Sequence, residues 1–340
     1  MNKHKVYSPP YVITPAILRA VAEIGELLGR YSATTASSFP PKLRRANRIR
    51  TVHASLAIEN NTLTLEQVTA VLSGKRVLGL PREIQEVRNA FAAYERLDGW
   101  DPTSEKDLME AHGIMLAGLV DEPGAFRSKG VGIFRGKHVV HMAPPAKRVK
   151  NLMHNLLDWL KNTEEHPLVA SSVFHYEFEF IHPFADGNGR LGRLWQTLIL
   201  SKWKPVFSCL PVETVICANQ EEYYKALEQA DKSADISSFI EFMLKSLHTA
   251  VAEAVASDQV AIQVSDQVTK LLMVLKGGAA GAGELMKKIG LSHRPTFRKN
   301  YLEPALREGF IERTQPDSPQ SPTQRYRLTD KGRSIAQEIR

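Results

Sequence analysis

The chain has 340 residues, 43% of them hydrophobic, and a formal net charge of +7. That length makes two or three domains the expectation. Its two cysteines, Cys209 and Cys217, exclude a disulfide framework and a cysteine-based zinc site, and no stretch reaches the roughly 18 unbroken apolar residues of a membrane span.

The opening "MNKHKVYSPPYVITP" puts prolines where a signal peptide needs an apolar run, so a cytoplasmic location with no membrane partner is expected. "ILRAVAEIGELLGR" (17–30) has apolar residues at helical spacing and a natural stop at Gly29. Leu43 to Asn60 reads as a second helix. Thr64 followed by Gln67 is a capping-box pattern for the next helix, which Gly74 ends. Helices are predicted over Glu83–Asp98 and Ser104–Gly118. Val131–Arg135 and Val139–Met142 are β-prone runs flanking "RGKH", a hairpin signal closed by Pro144 and Pro145. Helices follow over Ala146–Thr163 and Leu168–Ile181. Ile236–Lys276 lacks Gly and Pro and reads as one long helix or two, with a connector near Val251.

Between two of these helices lies "HPFADGNGRLGR" (182–193). Gly-Asn-Gly permits unusual backbone angles and close approach of a ligand to bare N–H groups. A helix starting there offers unpaired donors and a positive dipole end, an anion site. Arg190 and Arg193 lie three apart on one helical side and can fork phosphate oxygens. Asp186 can hold a hard cation such as Mg2+, and His182 can take a proton near neutral pH. Together these are the parts that phosphoryl or nucleotidyl transfer needs. Taken singly, each has a plainer reading as a turn or a structural side chain.

The stretch matches without departure the H-x-F-x-[DE]-G-N-G-R-x-x-R signature and so resembles the Fic family. The resemblance implies a mainly α fold: a Fic-type helical bundle with a β-hairpin flap, plus a C-terminal winged-helix domain. The division expected is 1–100 for an N-terminal helical domain, 101–250 for the catalytic core, and 251–340 for a linker helix and winged helix. The implied activity is transfer of AMP from ATP to a Ser, Thr or Tyr hydroxyl of a target protein. His182 would be the general base and Asp186 the Mg2+ ligand. Gly187, Asn188 and Gly189 would form the anion hole, Arg190 and Arg193 would grip the outer phosphates, and Phe184 would anchor the loop. "PGAFR" (123–127) and the hairpin look like the family's flap, with Ile133, Phe134, Val139 and Val140 docking the target by strand addition. "NQEEYYKAL" from Asn219 looks like the stretch bordering the nucleotide, which places Asn219 and Tyr224 near the adenosine. Kinases of the Doc type carry lysine for the second glycine of Gly-Asn-Gly; Gly189 is intact here. His175, two helical turns before His182, reads as a structural histidine.

"SLAIEN" (55–60) also resembles a family motif, the inhibitory [ST]-x-x-x-E-[GN]. The resemblance implies that Glu59 pairs with Arg193 and places negative charge where ATP's outer phosphate must sit, with Ser55 steadying the site. In some relatives this glutamate positions water that removes AMP, so both directions are implied.

From Gly281 to Arg340 there are 12 Lys and Arg against 7 Asp and Glu, which points to a polyanion partner for this basic tail. Ser292 would cap a recognition helix carrying Arg294, Arg298 and Lys299, with Arg325 and Arg327 on a wing. These residues suit DNA contact; docking of protein is the alternative for such a module. A function from another class is a DNA-binding transcriptional regulator that uses the core as a nucleotide sensor. The intact His182 favours the enzyme, because a sensor needs no base there. A homodimer is one way to bury a helical N-terminal face.

Overall fold

Helices dominate. The computed structural model describes residues 7–34, 41–135, 138–262, 266–316, 321 and 323–338. The chain divides into two compact units, residues 1–253 and 254–340. The first begins with α1 (Pro15–Thr34), α2 (Pro41–Ile58), α3 (Leu65–Leu72), α4 (Pro81–Glu95) and α5 (Glu105–Met115). A hairpin of β1 (Gly132–Arg135) and β2 (His138–Met142) follows, then α6 (Ala146–Asn162), α7 (Pro167–Ile181), α8 (Asn188–Trp203), α9 (Val212–Ala218) and α10 (Gln220–Ser233). α11 (Ser237–Ile262) runs past Val251 without interruption, so the expected connector there is helix; the next helix, α12, starts at Asp266 and ends at Leu275.

Local signals explain several boundaries. The capping box at Thr64 is complete: its hydroxyl accepts from Gln67 N–H and the Gln67 side chain accepts from Thr64 N–H. α1 does not stop at Gly29 but continues to Thr34. A Cβ at Gly25 or Gly29 would meet nothing; these glycines lie on the exposed side, where each costs about 1 kcal/mol against alanine without breaking the helix.

α7 and α8 form the centre. Nearly every residue of α7 is buried, the pattern of a helix surrounded by others. Several of its polar residues are satisfied internally: Ser171 and Ser172 donate to Leu168 O, and His175 bonds Gln196 and Tyr223. The core joins Val52 and Leu56 of α2, Val87 of α4, Leu108 of α5, Met153 of α6, Phe174 and Phe178 of α7, and Trp195 and Leu198 of α8. This packing brings the C-terminal end of α2 beside the start of α8, although the two are more than 120 residues apart in sequence.

In the second unit α12 precedes β3 (Ala280–Gly281) and α13 (Ala282–Ile289). Gly290 turns left-handed (φ 77°) into α14 (Arg294–Phe297), a π-helical segment (Arg298–Leu302) and α15 (Glu303–Arg307). β4 (Ile311–Arg313) and β5 (Arg325–Leu328) complete an antiparallel sheet of order β3-β5-β4, and α16 (Asp330–Glu338) closes the unit. Its core gathers Leu271, Leu272, Leu285, Phe297, Phe310 and Tyr326. The cap of the helix at Arg294 is His293, whose Nδ1 accepts from Thr296 N–H. Ser292, expected in that role, lies one residue too early.

Among the described residues, no helix is long and apolar enough to cross a membrane.

Candidate active site

α7 ends at Ile181, and the capping His182 adopts a left-handed conformation (φ 48°, ψ 63°) while its N–H still bonds Phe178 O at 2.9 Å. This reversal lifts the imidazole away from the helix. Gly187, also left-handed (φ 82°), then starts α8. A Cβ on Gly187 would collide with Leu116, so glycine is required for both angle and space. Between them Phe184 is fully buried, stacked on His112 at 3.8 Å between ring centroids. His112 accepts from Gly124 N–H through Nδ1 and reaches Asp186 O through Nε2, a neutral ring's pattern. Burial accordingly holds its pKa down.

The Asn188 side chain staples the loop: Oδ1 accepts from Phe184 N–H and the amide donates to Phe184 O, each at 2.9 Å. What Asn188 retains for an anion is its backbone N–H. Among the described residues no side chain caps α8, so the first-turn N–H groups keep their capacity for a ligand. Arg127, from "PGAFR", is buried and welds the surroundings. Its guanidinium donates to the carbonyls of His182 (2.7 Å), Lys129 (2.8 Å), Pro144 (2.6 Å) and Ile181 (3.3 Å), and its own N–H to Pro183 O (2.9 Å).

The two loop arginines reach different partners. Arg190 bonds Asp186 (2.7 Å) and, more distantly, Glu86 (3.4 Å). The other Asp186 oxygen accepts from Arg82 at 2.9 Å. Arg193 is fully buried and turns toward α2: Nε donates to Ser55 Oγ (3.0 Å), and Nη2 to Ser55 O (2.9 Å) and Glu59 Oε1 (2.8 Å). Burial alone would lower the Arg193 pKa; Glu59, Tyr223 and Glu179 around it raise it instead.

Glu59 owes its position to the way α2 ends. Asn60 is left-handed (φ 66°), its N–H bonds Ala57 O, and Asn61 N–H reaches back to Leu56 O. That is a Schellman close, for which only Gly or Asn serves readily at the left-handed position. Asn61 and Thr62 then tie the exit to Glu83 and Glu86 of α4. On the other flank, Gln220 and Tyr224 of α10 donate to Ile58 O, at 2.9 and 3.3 Å.

His182, Glu59, Gly189, Arg193 and Tyr224 line one cleft of about 540 Å3, a size suited to a cofactor or nucleotide. Burial lowers the His182 pKa to about 4, against the raising effect of Glu179 O and with help from Arg127 and His141. The imidazole is therefore neutral at pH 7 and able to accept a proton. Burial raises the neighbouring Glu179 to about 8, opposed by Arg193 and reinforced by Glu59. His175, lowered to about 4 chiefly by burial, is a core residue.

Asn219 is exposed at the α9–α10 junction with its amide on Val215 O; Gln220 takes the place on the cleft wall. The backbones of Ile133, Phe134 and Val139 pair within the hairpin (Ile133 with His141, Phe134 with Val139); the side chains of these three and of Val140 lie outside the described residues. In the second unit Arg294 and Lys299 are exposed, Arg298 pairs with Glu303 (3.0 Å), and Arg325 and Arg327 pair with Glu284 and Glu312. Gln220, Glu179, His141, Arg82 and Arg127 were not singled out by sequence. Arg127 lies in the quoted "PGAFR", Gln220 in "NQEEYYKAL" and His141 in the hairpin run, whereas Glu179 and Arg82 carry no such signal.

Residues 102–200 match the sequence profile of the Fic/DOC family, and residues 266–329 that of the Filamentation induced by cAMP protein Fic-like, C-terminal domain. A solved Fic family protein from Desulfovibrio desulfuricans G20 is 65% identical, over 95% of this chain and 99% of that one, with a TM-score of 0.78. Protein adenylyltransferase fic-1 of Caenorhabditis elegans is 31% identical over 242 residues, 67% of this chain and 45% of the relative. Protein adenylyltransferase Fic of Nematostella vectensis is 28% identical over 222 residues, 61% of this chain and 48% of the relative. The chain thus spans about half the length of these curated relatives.

Proposed function

Because this chain belongs to the Fic family, we propose that it is a protein adenylyltransferase held off by Glu59. The observation that carries the reading is the single cleft in which a neutral His182, the first turn of α8 and a buried Arg193 meet. The relatives' names support the same activity.

In this reading a target Ser, Thr or Tyr hydroxyl loses its proton to His182 as its oxygen attacks the α-phosphorus of ATP. The bond to the β-phosphate oxygen breaks and pyrophosphate leaves. Backbone N–H groups of residues 188 and 189 and Arg193 stabilise the charge on the phosphates, joined by the Gly187 N–H once it releases Asp186 Oδ1. Arg190 steadies Asp186 and the loop entry. Tyr224 and Gln220 border the adenosine side. Glu59 occupies Arg193, so a nucleotide meets a carboxylate where its outer phosphate belongs.

Asp186 fits Mg2+ as a single ligand. It is a hard carboxylate with a side chain 37% exposed, and among the described residues no group of three ligands forms an all-protein cage. Mg2+ characteristically takes one or two carboxylates and completes its shell with phosphates and water. Bound there, it would neutralise phosphate charge; Arg82 would have to release its oxygen.

We read the second unit as a winged helix whose exposed Arg294 and Lys299 would touch phosphates or an acidic protein. A salt-dependent mobility shift separates these partners.

The test is Glu59→Gly protein with α-labelled ATP in cell extract, followed by mass spectrometry of labelled bands. Label retained as an AMP adduct and lost in Glu59→Gly/His182→Ala is expected. Absence of any adduct sinks the reading.

A further inference from the structure

The β1–β2 hairpin is a two-stranded sheet, and such a hairpin is marginal by itself in water. Its register shifts between Ile133 and Phe134, which loosens it further. At its base Ala143 N–H bonds Val131 O, and Arg127 holds Pro144 O. Further along the strand, something else must fix it against the helices, and His141 is placed to do so.

His141 lies on β2 opposite Ile133, with a side chain only 13% exposed. Its Nε2 is 2.9 Å from Phe180 O on α7, and its Nδ1 is 3.0 Å from an Asp231 carboxylate oxygen on α10. Each ring nitrogen therefore has a partner on a different helix. We infer that His141 is a latch that clamps the hairpin to both walls of the cleft and thereby positions the strand edge a target must join.

Asp231 and Glu228 line the cleft from α10, and Tyr176 and Glu179 line it from α7, so the latch reaches both of its walls. His141 touches neither reacting group; it is a positioning residue. The role assigned to the docked strand rests on the adenylyltransferase reading, whereas the latch rests on geometry alone.

The test needs no catalysis. Amide exchange in peptides spanning β1 and β2 should quicken roughly tenfold or more in His141→Gln, from loss of the bonds to α7 and α10. Exchange within α7 and α8 should stay unchanged, which separates a loosened hairpin from general destabilisation. Unaltered exchange in β1 and β2 overturns the proposal. A latched hairpin in a protein that transfers no AMP would leave the latch standing and remove the adenylyltransferase reading.

Discussion

A Cβ on Gly189 would overlap a carboxylate oxygen of Glu59. The carboxylate therefore rests against the first turn of α8 while pairing with Arg193. On the adenylyltransferase reading the outer phosphate belongs in that space, and the two would exclude each other on steric as well as electrostatic grounds.

Replacing Glu59 by Gly should raise AMP incorporation by at least tenfold. It should also destabilise the protein by about 1–3 kcal/mol, because the buried Arg193 loses its charged partner. Calorimetry should show a lower Tm that added ATP restores. A variant that is both more active and equally stable without nucleotide would show that the pair contributes nothing to the fold.

His182→Ala should reduce transfer by roughly a hundredfold or more, the usual worth of a positioned base. With its pKa lowered to about 4, the base is already deprotonated at pH 5. The acid limb of the rate profile in Glu59→Gly protein should therefore fall only as pH approaches about 4. A limb centred near 6.5 would mean that the imidazole is not desolvated during turnover.

Glu179 gives a stability signature of opposite sign. Its folded pKa of about 8 lies above the ordinary 4.5, so the folded state retains a proton that the unfolded state releases. The associated stability is full below about 4.5 and disappears as pH rises through about 8. His175 and His182, both lowered to about 4, contribute stability that is present above 6.5 and lost as pH falls toward 4. Glu179→Gln should flatten the decline of Tm between about pH 4.5 and 8 and leave the slope above 8 unchanged.

Gln220→Ala and Tyr224→Phe should each loosen the hold on Ile58 O, one neutral hydrogen bond each. A partial rise in AMP transfer, roughly threefold to tenfold, is expected from Gln220→Ala if Tyr224 alone holds α2 less firmly. Double-mutant cycles with Glu59→Gly should show no further gain, since the helix end then carries no carboxylate to release.

Asn60 sits at φ 66°. Asn60→Gly should be within about 0.5 kcal/mol of the unmodified chain, whereas Asn60→Val should cost about 1–2 kcal/mol and raise basal transfer by disturbing Glu59. Equal Tm values for the two variants would contradict a left-handed helix end.

Much of the helical frame was legible because its signals are local: the Thr64–Gln67 box, the prolines before α6 and the apolar run of α7 all act within a turn or two. The loop from His182 to Arg193 stood out because glycines, an amide and charged residues crowd one short stretch. What was not legible depends on contacts far apart in sequence. Asn219 rather than Gln220 was expected beside the cleft, yet the Asn219 amide folds onto its own helix end. The Asn188 side chain closes the loop on Phe184, a tie that sequence does not announce, and leaves its backbone N–H for an anion. The raised pKa of Glu179 follows from burial, and the contacts of His141 from partners on other helices, about which neighbouring letters carry no information.

Arg127 joins the two ends of the hairpin, through Lys129 O and Pro144 O, to the main chain at Ile181, His182 and Pro183. One planar group thus couples the base of the hairpin mechanically to the main chain that carries His182. If the hairpin receives a target and His182 its proton, as proposed, recognition and turnover could not be retuned independently: a hairpin reshaped for a new partner would transmit its strain to the imidazole through a single rigid fork.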